Sequence, residues 1–436
     1  MPVLRGSRSR VAAVMALAAA TALSACTAGS AKSVSQGSSD GKKVTLSFLT
    51  FETPNLTSAY WDAAIARATA KVPGVTIKKL VGTNSTAYLQ QLFASGQAPD
   101  IMTSIAPDGF AQKGELAPWS ADDMKGFDDP HAGAINGKTY ALSFNVQPVP
   151  LVYYNKQDFT KAGIAGPPAT YAEFLADCAK LKAVGITPLE VGGGGQDTWA
   201  ASYGLAATVS TDLLTKTPDW FTKRSDNAVK FTDPDFVAAA QKVADLSGKG
   251  YIDKAGLSRS YADVEQAFRD NKAAMYPMGS WFSASADKTK PPFDVGVFGW
   301  PSDAGKNIVP VVTGGGLMVN SHAKDVDLAQ KWAKAFAEDK TNLDNSVRTD
   351  GLIIGIKGYT PPANVGALYQ QTLDLYKKAL SGGQTVPAWA SVSGDGSLPP
   401  GFSDKLNAAI VDLITGRKSP KDFAAYLDQQ YTAATR

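Results

Sequence analysis

Strand and helix patterns alternate at the start of the chain, and this order limits its fold more than any other feature. Residues 44–50 alternate apolar and polar side chains before becoming largely apolar, as a β-strand does. Residues 60–72 then carry apolar side chains at helical spacing, and a Pro-Gly pair separates them from a second strand at residues 75–77. This order predicts an α/β fold with largely parallel sheets.

The size of the chain predicts more than one domain. It has 436 residues, of which 44% are hydrophobic, so it can bury a large amount of apolar surface. A single hydrophobic core stops growing well below this length, and two domains are therefore expected.

The first 25 residues are typical of a secretion signal. Arg5, Arg8 and Arg10 precede a continuous run of apolar and small side chains at residues 11–22. A membrane-spanning helix needs about 20 apolar residues, so this run is too short and too rich in alanine for that role.

The signal ends in Leu-Ser-Ala-Cys at residues 23–26, which resembles the lipobox of bacterial lipoproteins. In that motif the cysteine receives a lipid and becomes the new N-terminus. We therefore expect residues 1–25 to be removed, and residues 26–41 to form a lipidated Cys26 followed by a flexible, Gly- and Ser-rich tether. The alternative is an ordinary cleavable signal with an incidental cysteine.

Composition excludes several classes of function. Removal of the three arginines of the signal leaves 40 basic and 40 acidic residues, so the mature chain lacks the basic surface that nucleic-acid binding requires. Cys178 is then the only remaining cysteine, which excludes an intramolecular disulfide bond. His131 and His322 are the only histidines, so a histidine-based metal centre is not expected, nor is any cofactor.

Two helices can be predicted in detail. Thr170 and Glu173 have the spacing of a capping box, which predicts a helix starting there and running to about residue 182. Cys178 falls on the apolar face of that helix and is expected in the core. Trp332 lies on the apolar face of another helix, which predicts a core residue as well.

Four sequence blocks occur in one order across the mature chain. They are Pro-Asp-Ile at 99–101 with Gly-Glu-Leu-Ala-Pro at 114–118, Gly-Lys-Thr-Tyr-Ala-Leu at 137–142, Tyr-Tyr-Asn-Lys at 153–156 with Pro-Pro-Ala-Thr-Tyr-Ala-Glu-Phe at 167–174, and the segment from Phe268 to Trp281. Together they resemble the extracellular solute-binding proteins that serve ABC sugar importers. The chain departs from the family pattern at Ser143, where a proline is usual.

The resemblance implies a two-lobed, periplasmic-binding-protein-like fold of type II, with hinge-connected α/β lobes and a ligand cleft between them. It implies one lobe of residues 42–145 plus 316–355 and another of residues 146–315 plus 356–436. The crossings between them are expected near residues 143–150, 309–315 and 355–362.

The resemblance also implies ligand-binding residues in the second lobe. Trp281 ends the last block, where relatives stack a tryptophan on a sugar ring; the alternative is a core aromatic residue. Four consecutive glycines at 192–195 predict a loop that allows a close backbone approach. Relatives place ligand contacts in this loop, which implies Gln196, Asp197 and Trp199.

Further candidates follow from position. Glu52, Ser104 and Asp108 come just after predicted strands, whose carboxyl ends are where ligands bind in open α/β sheets.

Three more candidates lie at the crossings or in a loop. Asn145 lies at the first crossing and Gly315 at the second, although a purely structural turn explains Gly315 equally well. Trp389 lies in a Pro-, Gly- and Ser-rich stretch and would either offer a third stacking surface or fasten that stretch to its lobe.

The expected function is therefore capture, not catalysis: a monomeric, lipid-anchored protein on the outer face of the cytoplasmic membrane binds a carbohydrate by hinge closure. It would deliver the sugar to a membrane permease of the ABC type. Two alternatives stay open, a secreted glycoside hydrolase with paired carboxylates and a binding protein of the same fold for a non-sugar ligand.

Overall fold

The computed structural model describes residues 43–83, 85–195, 197–306, 308–314, 316–389 and 393–435. Cys26 and the tether lie outside these residues, as do Gln196 and Gly315. The strands of the described residues are β1 (Val44–Phe51), β2 (Val75–Gly82), β3 (Ile101–Thr103), β4 (Asn145–Pro148), β5 (Leu151–Asn155), β6 (Met275–Met278), β7 (Val295–Gly299), β8 (Val309–Gly314), β9 (Leu317–Val319), β10 (Ile353–Ile354) and β11 (Thr385–Pro387).

Helices account for most of the rest. They are α1 (Ser58–Lys71), α2 (Thr86–Ala94), α3 (Ala121–Met124), α4 (Lys156–Lys161), α5 (Tyr171–Ala183), α6 (Thr198–Ala201), α7 (Tyr203–Thr208), α8 (Trp220–Ser225), α9 (Pro234–Gly248), α10 (Tyr261–Arg269), α11 (Trp281–Lys288), α12 (Val326–Ala337), α13 (Lys340–Asp350), α14 (Ala367–Ser381), α15 (Phe402–Thr415) and α16 (Pro420–Ala434), with a π-helix at Val209–Leu214 and a 3₁₀-helix at Lys254–Ser258.

The first lobe is built on a four-stranded sheet in the order β2-β1-β3-β9. β1 runs parallel to β2 and β3, and β9 runs antiparallel to β3. Side chains along β1 alternate between two cores, with Leu46 and Phe48 in one and Leu49 in the other. The strand, helix and strand predicted at the start of the chain are confirmed as β1, α1 and β2.

Trp332 anchors the core on one face of this sheet. Its side chain is fully buried, and its ring lies edge-on to Phe48 with centroids 5.1 Å apart. The indole Nε1 donates to the Thr69 hydroxyl at 3.0 Å, so the polar end of the ring is satisfied too. The prediction of a core residue is confirmed.

The second lobe has a sheet in the order β6-β5-β7, in which β5 runs antiparallel to both neighbours. Leu189 adds a parallel bridge to Met275 on β6, and another to Ile252. The expectation of largely parallel sheets therefore fails for β5. The reason is the order of the strands along the chain. β5 follows directly on β4, which comes from the first lobe, and it therefore enters this sheet in the direction opposite to β6 and β7.

The predicted capping box forms at the start of α5. The Thr170 hydroxyl accepts the Glu173 backbone N–H, and the Glu173 carboxylate accepts the Thr170 backbone N–H. Further along the helix, Cys178 is fully buried in the main core of the second lobe. Both predictions are confirmed.

A third sheet joins the two lobes. Its order is β10-β4-β8-β11, with β4 antiparallel to both β8 and β10. Two of the segments expected to cross between lobes thus lie side by side as β4 and β8. At the end of β4 the Pro148 carbonyl accepts the Ser280 backbone N–H at 3.0 Å, which fixes the start of α11 against this hinge sheet.

Candidate functional site

Four aromatic side chains from different helices of the second lobe form a cluster beside the hinge sheet. This aromatic cluster consists of Trp199 on α6, Tyr203 on α7, Tyr261 on α10 and Trp281 on α11. The Trp199 centroid lies 6.3 Å from that of Trp281, 5.6 Å from that of Tyr203 and 5.5 Å from that of Tyr261. Tyr261 is buried, whereas the other three keep part of their surface accessible. The structure thus brings together the two tryptophans that the sequence singled out.

Gly279 sets the orientation of the Trp281 ring. A Cβ atom at position 279 would lie 2.1 Å from the ring, a separation that real Cβ atoms do not show. The glycine two residues before the tryptophan therefore lets the indole lie back over the end of β6, where it packs against the second-lobe core.

The glycine loop at 192–195 approaches the chain's own backbone closely. A Cβ at Gly194 would lie 2.3 Å from the Ser258 carbonyl oxygen, and the Gly194 N–H donates to the Arg259 carbonyl at 2.8 Å. These glycines allow the loop to pack tightly against the segment that leads into α10. The loop is therefore held next to the aromatic cluster.

Asp197 lies inside this arrangement and links two members of the cluster. Its Oδ1 accepts the Trp199 indole N–H at 3.3 Å, and its Oδ2 accepts the Tyr261 backbone N–H at 2.7 Å. Both oxygens thus hold the cluster in place. Gln196, the neighbouring candidate, lies outside the described residues.

The candidates after the first-lobe strands are dispersed. Glu52 is exposed at the end of β1. Ser104 has a positive φ of 60°, and its N–H donates to the Gly316 carbonyl at 3.2 Å. Asp108 is buried, where burial raises its pKa, and its Oδ1 accepts the Gly394 N–H at 3.0 Å. In the described part of the chain, no hydrogen bond joins these three side chains to the aromatic cluster.

Asn145 occupies the hinge sheet with its amide group unsatisfied. The residue is 1% exposed and pairs with Gly314 on β8 and Ile354 on β10. Neither its Nδ2 nor its Oδ1 has a hydrogen-bond partner among the described residues, and the same holds for the buried Ser280 hydroxyl. Buried amides are normally bonded, so these groups are available to a further partner. Gly315, the other crossing candidate, falls in a gap of the described chain.

Trp389 lies in the core of the second lobe. It is 2% exposed, and its ring is edge-on to Phe236 with centroids 5.5 Å apart. A few residues later, the Asp395 carboxylate accepts the Asn136 backbone N–H of the first lobe at 2.8 Å. Burial of Trp389 thus fastens a stretch of chain that reaches across to the other lobe.

Asp350 and Asn55 are features that sequence reasoning missed. The Asn55 amide nitrogen lies 3.2 Å from Asp350 Oδ1 and 3.4 Å from the Trp281 carbonyl oxygen. Asn55 belongs to the loop after β1, and Asp350 ends α13. The two residues are therefore distant in sequence and meet only in the folded chain. The sequence offers a weak signal, since Asp350 before Gly351 marks the end of a helix.

Elsewhere in the described chain, the candidates for a binding site are weaker. A cavity of about 690 Å³ lies on the second lobe, lined by residues that include Arg224 and Asp428, but these two already form an ion pair at 3.1 Å. No cluster of His, Cys, Asp and Glu in the described chain could hold a metal ion. No described helix is both long enough and apolar enough to span a membrane.

Comparison with known proteins decides the family. Residues 53–342 match the family of bacterial extracellular solute-binding proteins. The chain belongs to this family. A structure titled "Chitin oligosaccharide binding protein" superposes on this solute-binding protein with a TM-score of 0.79 and 25% identity, covering 90% of this chain and 99% of the other. The family resemblance and the two-lobed type II fold predicted from the sequence are confirmed.

Two curated relatives are similar over a smaller share of the chain. The multiple sugar-binding protein of Streptococcus mutans is 25% identical over 231 residues, which are 53% of this solute-binding protein and 54% of the relative. The alignment thus spans about half the length of that relative. The maltodextrin-binding protein of Bacillus subtilis is 26% identical over 329 residues, which are 70% of this chain and 72% of the relative.

Two carboxyl groups of the solute-binding protein have strongly raised pKa values. Burial raises the pKa of Glu190 to about 7 despite the Arg259 guanidinium 2.6 Å away. Burial likewise raises the pKa of Asp350 to about 7, against the Asn55 hydrogen bond. Glu190 is fully buried, whereas Asp350 is only partly buried as a residue. Asp350 also lies next to Asn55, whose amide nitrogen is 3.4 Å from the Trp281 carbonyl oxygen.

We expect Asp350→Asn to raise the free energy of unfolding at pH 7.5 by roughly 1–2 kcal/mol, a value reduced from the full shift because Asp350 is only partly buried as a residue. A raised pKa means that the folded state binds the proton more tightly, so the parent loses stability as the pH rises from 4 to 7. The amide has no such proton, and its oxygen can still accept from Asn55. Urea unfolding at pH 5.0 and 7.5 measures the difference, which should be smaller at pH 5.0.

Asp344→Asn on the same helix is the matched control. Hydrogen bonds from Lys340 and Tyr359 lower the pKa of Asp344 despite its partial burial, so this change should destabilise the protein at pH 7.5. A lower stability of Asp350→Asn than of the parent at pH 7.5 would contradict the assignment.

Proposed function

We propose that this extracellular solute-binding protein captures a carbohydrate, most simply an oligosaccharide, in the cleft between its lobes and delivers it to an ABC-type importer. The aromatic cluster carries this proposal. Sugar rings present flat patches of C–H that pack on aromatic faces, and the cluster offers two accessible indole rings with centroids 6.3 Å apart. The family and the named ligands of its relatives, chitin oligosaccharide and maltodextrin, point to the same class of ligand.

Closure of the lobes is part of the proposal. Its hinge would be the β10-β4-β8-β11 sheet, with one lobe formed by residues 42–145 plus 316–355 and the other by residues 146–315 plus 356–436. The Asn55 amide, 3.4 Å from the Trp281 carbonyl oxygen, supports this division because it is a contact between the two lobes at the aromatic cluster. A ligand held between the lobes would stabilise the closed arrangement that a permease can distinguish from the open one.

The residues of the proposed binding site have different roles. Trp199 and Trp281 would stack on the ligand, and the unsatisfied amide of Asn145 would bond its hydroxyl groups. Asp197 would act indirectly, by holding Trp199 in place. Glu52, Ser104, Asp108 and the residues outside the described chain stay predictions, while Trp389 would contribute by anchoring its loop.

Titration calorimetry against a carbohydrate panel tests the function. The panel consists of maltotriose, raffinose, xylotriose and tri-N-acetylchitotriose, with a tripeptide and a ferric siderophore as non-sugar controls. We expect at least one saccharide to bind without being consumed, which chromatography after prolonged incubation checks. Release of shorter sugars would favour a glycoside hydrolase, and binding of only the peptide or ferric complex would favour a non-sugar ligand.

Truncation of Trp281 should weaken saccharide binding. We expect Trp281→Ala to lower the affinity by about 1 kcal/mol or more, because an aromatic stacking contact contributes about 0.5–1.5 kcal/mol beyond the area it buries. The control is Trp332→Phe, a change at a fully buried ring in the first-lobe core, which should leave the affinity unaltered. Equal affinities of Trp281→Ala and the parent would remove Trp281 from the site.

The lipid anchor is proposed on the sequence alone. In a bacterial host, the parent should sediment with membranes and incorporate labelled palmitate, whereas Cys26→Ser should do neither. The matched control is Cys178→Ser, which removes the other cysteine and should stay membrane-bound and labelled. Labelling of Cys26→Ser would contradict the anchor.

A further inference from the structure

The Asp350 carboxyl group has few partners for its position. Its Oδ1 accepts a single side-chain hydrogen bond, from Asn55 at 3.2 Å, and that same amide reaches the Trp281 carbonyl. Among the described residues it forms no ion pair, and no cation contributes to its electrostatic environment. A deep carboxylate normally has a cation or several donors around it. Asp350 instead has only the Asn55 amide, which links it to the Trp281 carbonyl in the aromatic cluster, and it is only partly buried as a residue.

Helices α10 and α1 bring an acidic group and two neutral phenols to the surroundings of this carboxyl group. On α10, the Glu265 carboxylate raises the pKa of Asp350 further, although Glu265 itself is bonded to Arg269 at 2.8 Å. Tyr60 on α1 and Tyr261 on α10 are neutral, and the Asp350 charge helps to raise the pKa of each phenol.

The charges on the adjoining helices are engaged elsewhere. Asp287, near the far end of α11, accepts the backbone N–H groups of Leu368 and Tyr369. Arg348, two residues before Asp350 on α13, donates to the Asn364 side chain at 2.9 Å. An ionised Asp350 therefore has room for further hydrogen-bond donors, which water can supply in the free protein and a bound ligand can supply in a complex.

We propose that Asp350 is a specificity-determining residue, whose ionised carboxylate accepts hydrogen bonds from ligand hydroxyl groups. This inference rests on the proposed function and names a residue that gives it chemical selectivity. A carboxylate only accepts hydrogen bonds, and bonds to a charged acceptor are roughly twice as strong as neutral ones. Neighbouring hydroxyl groups of a saccharide supply two donors to one carboxylate, and closure of the cleft would exclude competing water.

A dependence of binding on pH follows. Since the ligand binds the ionised form more tightly, the pKa of Asp350 must be lower in the complex than in the free protein, where burial raises it to about 7. Binding between these two pKa values must then release a proton. Affinity is highest above the pKa of the free protein and decreases as the pH is lowered through it.

Calorimetry with the tightest-binding saccharide of the panel tests the inference. We expect affinity about tenfold weaker at pH 5.5 than at pH 8.5, and proton release at pH 7.0, measured in two buffers of different protonation enthalpy. Asp350→Asn keeps the shape of the side chain but cannot ionise. The variant should therefore bind the saccharide about tenfold more weakly than the parent at pH 8.5, and with nearly the parent's affinity at pH 5.5. Asp344→Asn, on the same helix and outside the cleft, should retain the parent's pH profile.

The outcomes separate this inference from the function on which it rests. Saccharide binding by the parent with no pH dependence and no proton release, or an Asp350→Asn variant that binds like the parent, would overturn the role of Asp350 and leave carbohydrate capture standing. Failure of the parent to bind any saccharide would reject the proposed function and this inference together. Circular dichroism at each pH verifies that parent and variants are folded.

Discussion

The antiparallel pairing of β4 with β8 sets the direction in which the chain enters the sheet of each lobe. These two antiparallel strands carry the chain between the lobes in opposite directions. β5 therefore enters the second-lobe sheet antiparallel to its neighbours, and β9 enters the first-lobe sheet antiparallel to β3. The same pairing places Asn145 on β4 beside β8, and the start of α11 is bonded to the end of β4 through the Ser280 N–H and the Pro148 carbonyl.

The aromatic cluster shows how the second lobe holds partly accessible rings in a fixed arrangement. Exposed indole rings would gain stability by turning into the core, as Trp332 and Trp389 do. Asp197 works against this at the cluster by bonding Trp199, while Gly279 leaves the space in which the partly exposed Trp281 ring lies over the end of β6. Positions that keep large apolar surface open at some cost to stability are expected where a ligand binds.

The two carboxyl groups with raised pKa values differ in what surrounds them. Glu190 has an Arg259 nitrogen 2.6 Å away and no exposure, so its burial belongs to the support of the glycine loop. Asp350 has one side-chain amide donor and no ion pair among the described residues, and it is only partly buried as a residue. A raised pKa alone therefore does not identify a binding residue, and the surrounding partners make the distinction.

Local sequence patterns were enough to predict several helices and strands, and the ordered blocks were enough to predict the family. Capping residues, the apolar spacing around Trp332 and the ordered blocks are local signals, because helix and strand formation depends on neighbouring residues. They also identified Trp199 and Trp281 through one short motif and one loop. Only the tertiary structure decided which side chains meet: it placed Asp197 under the cluster, Trp389 in the core and Asp350 next to Asn55, 295 residues away along the chain. Such contacts depend on how the lobes pack and on which polar groups lose water, and no local pattern of residues encodes either.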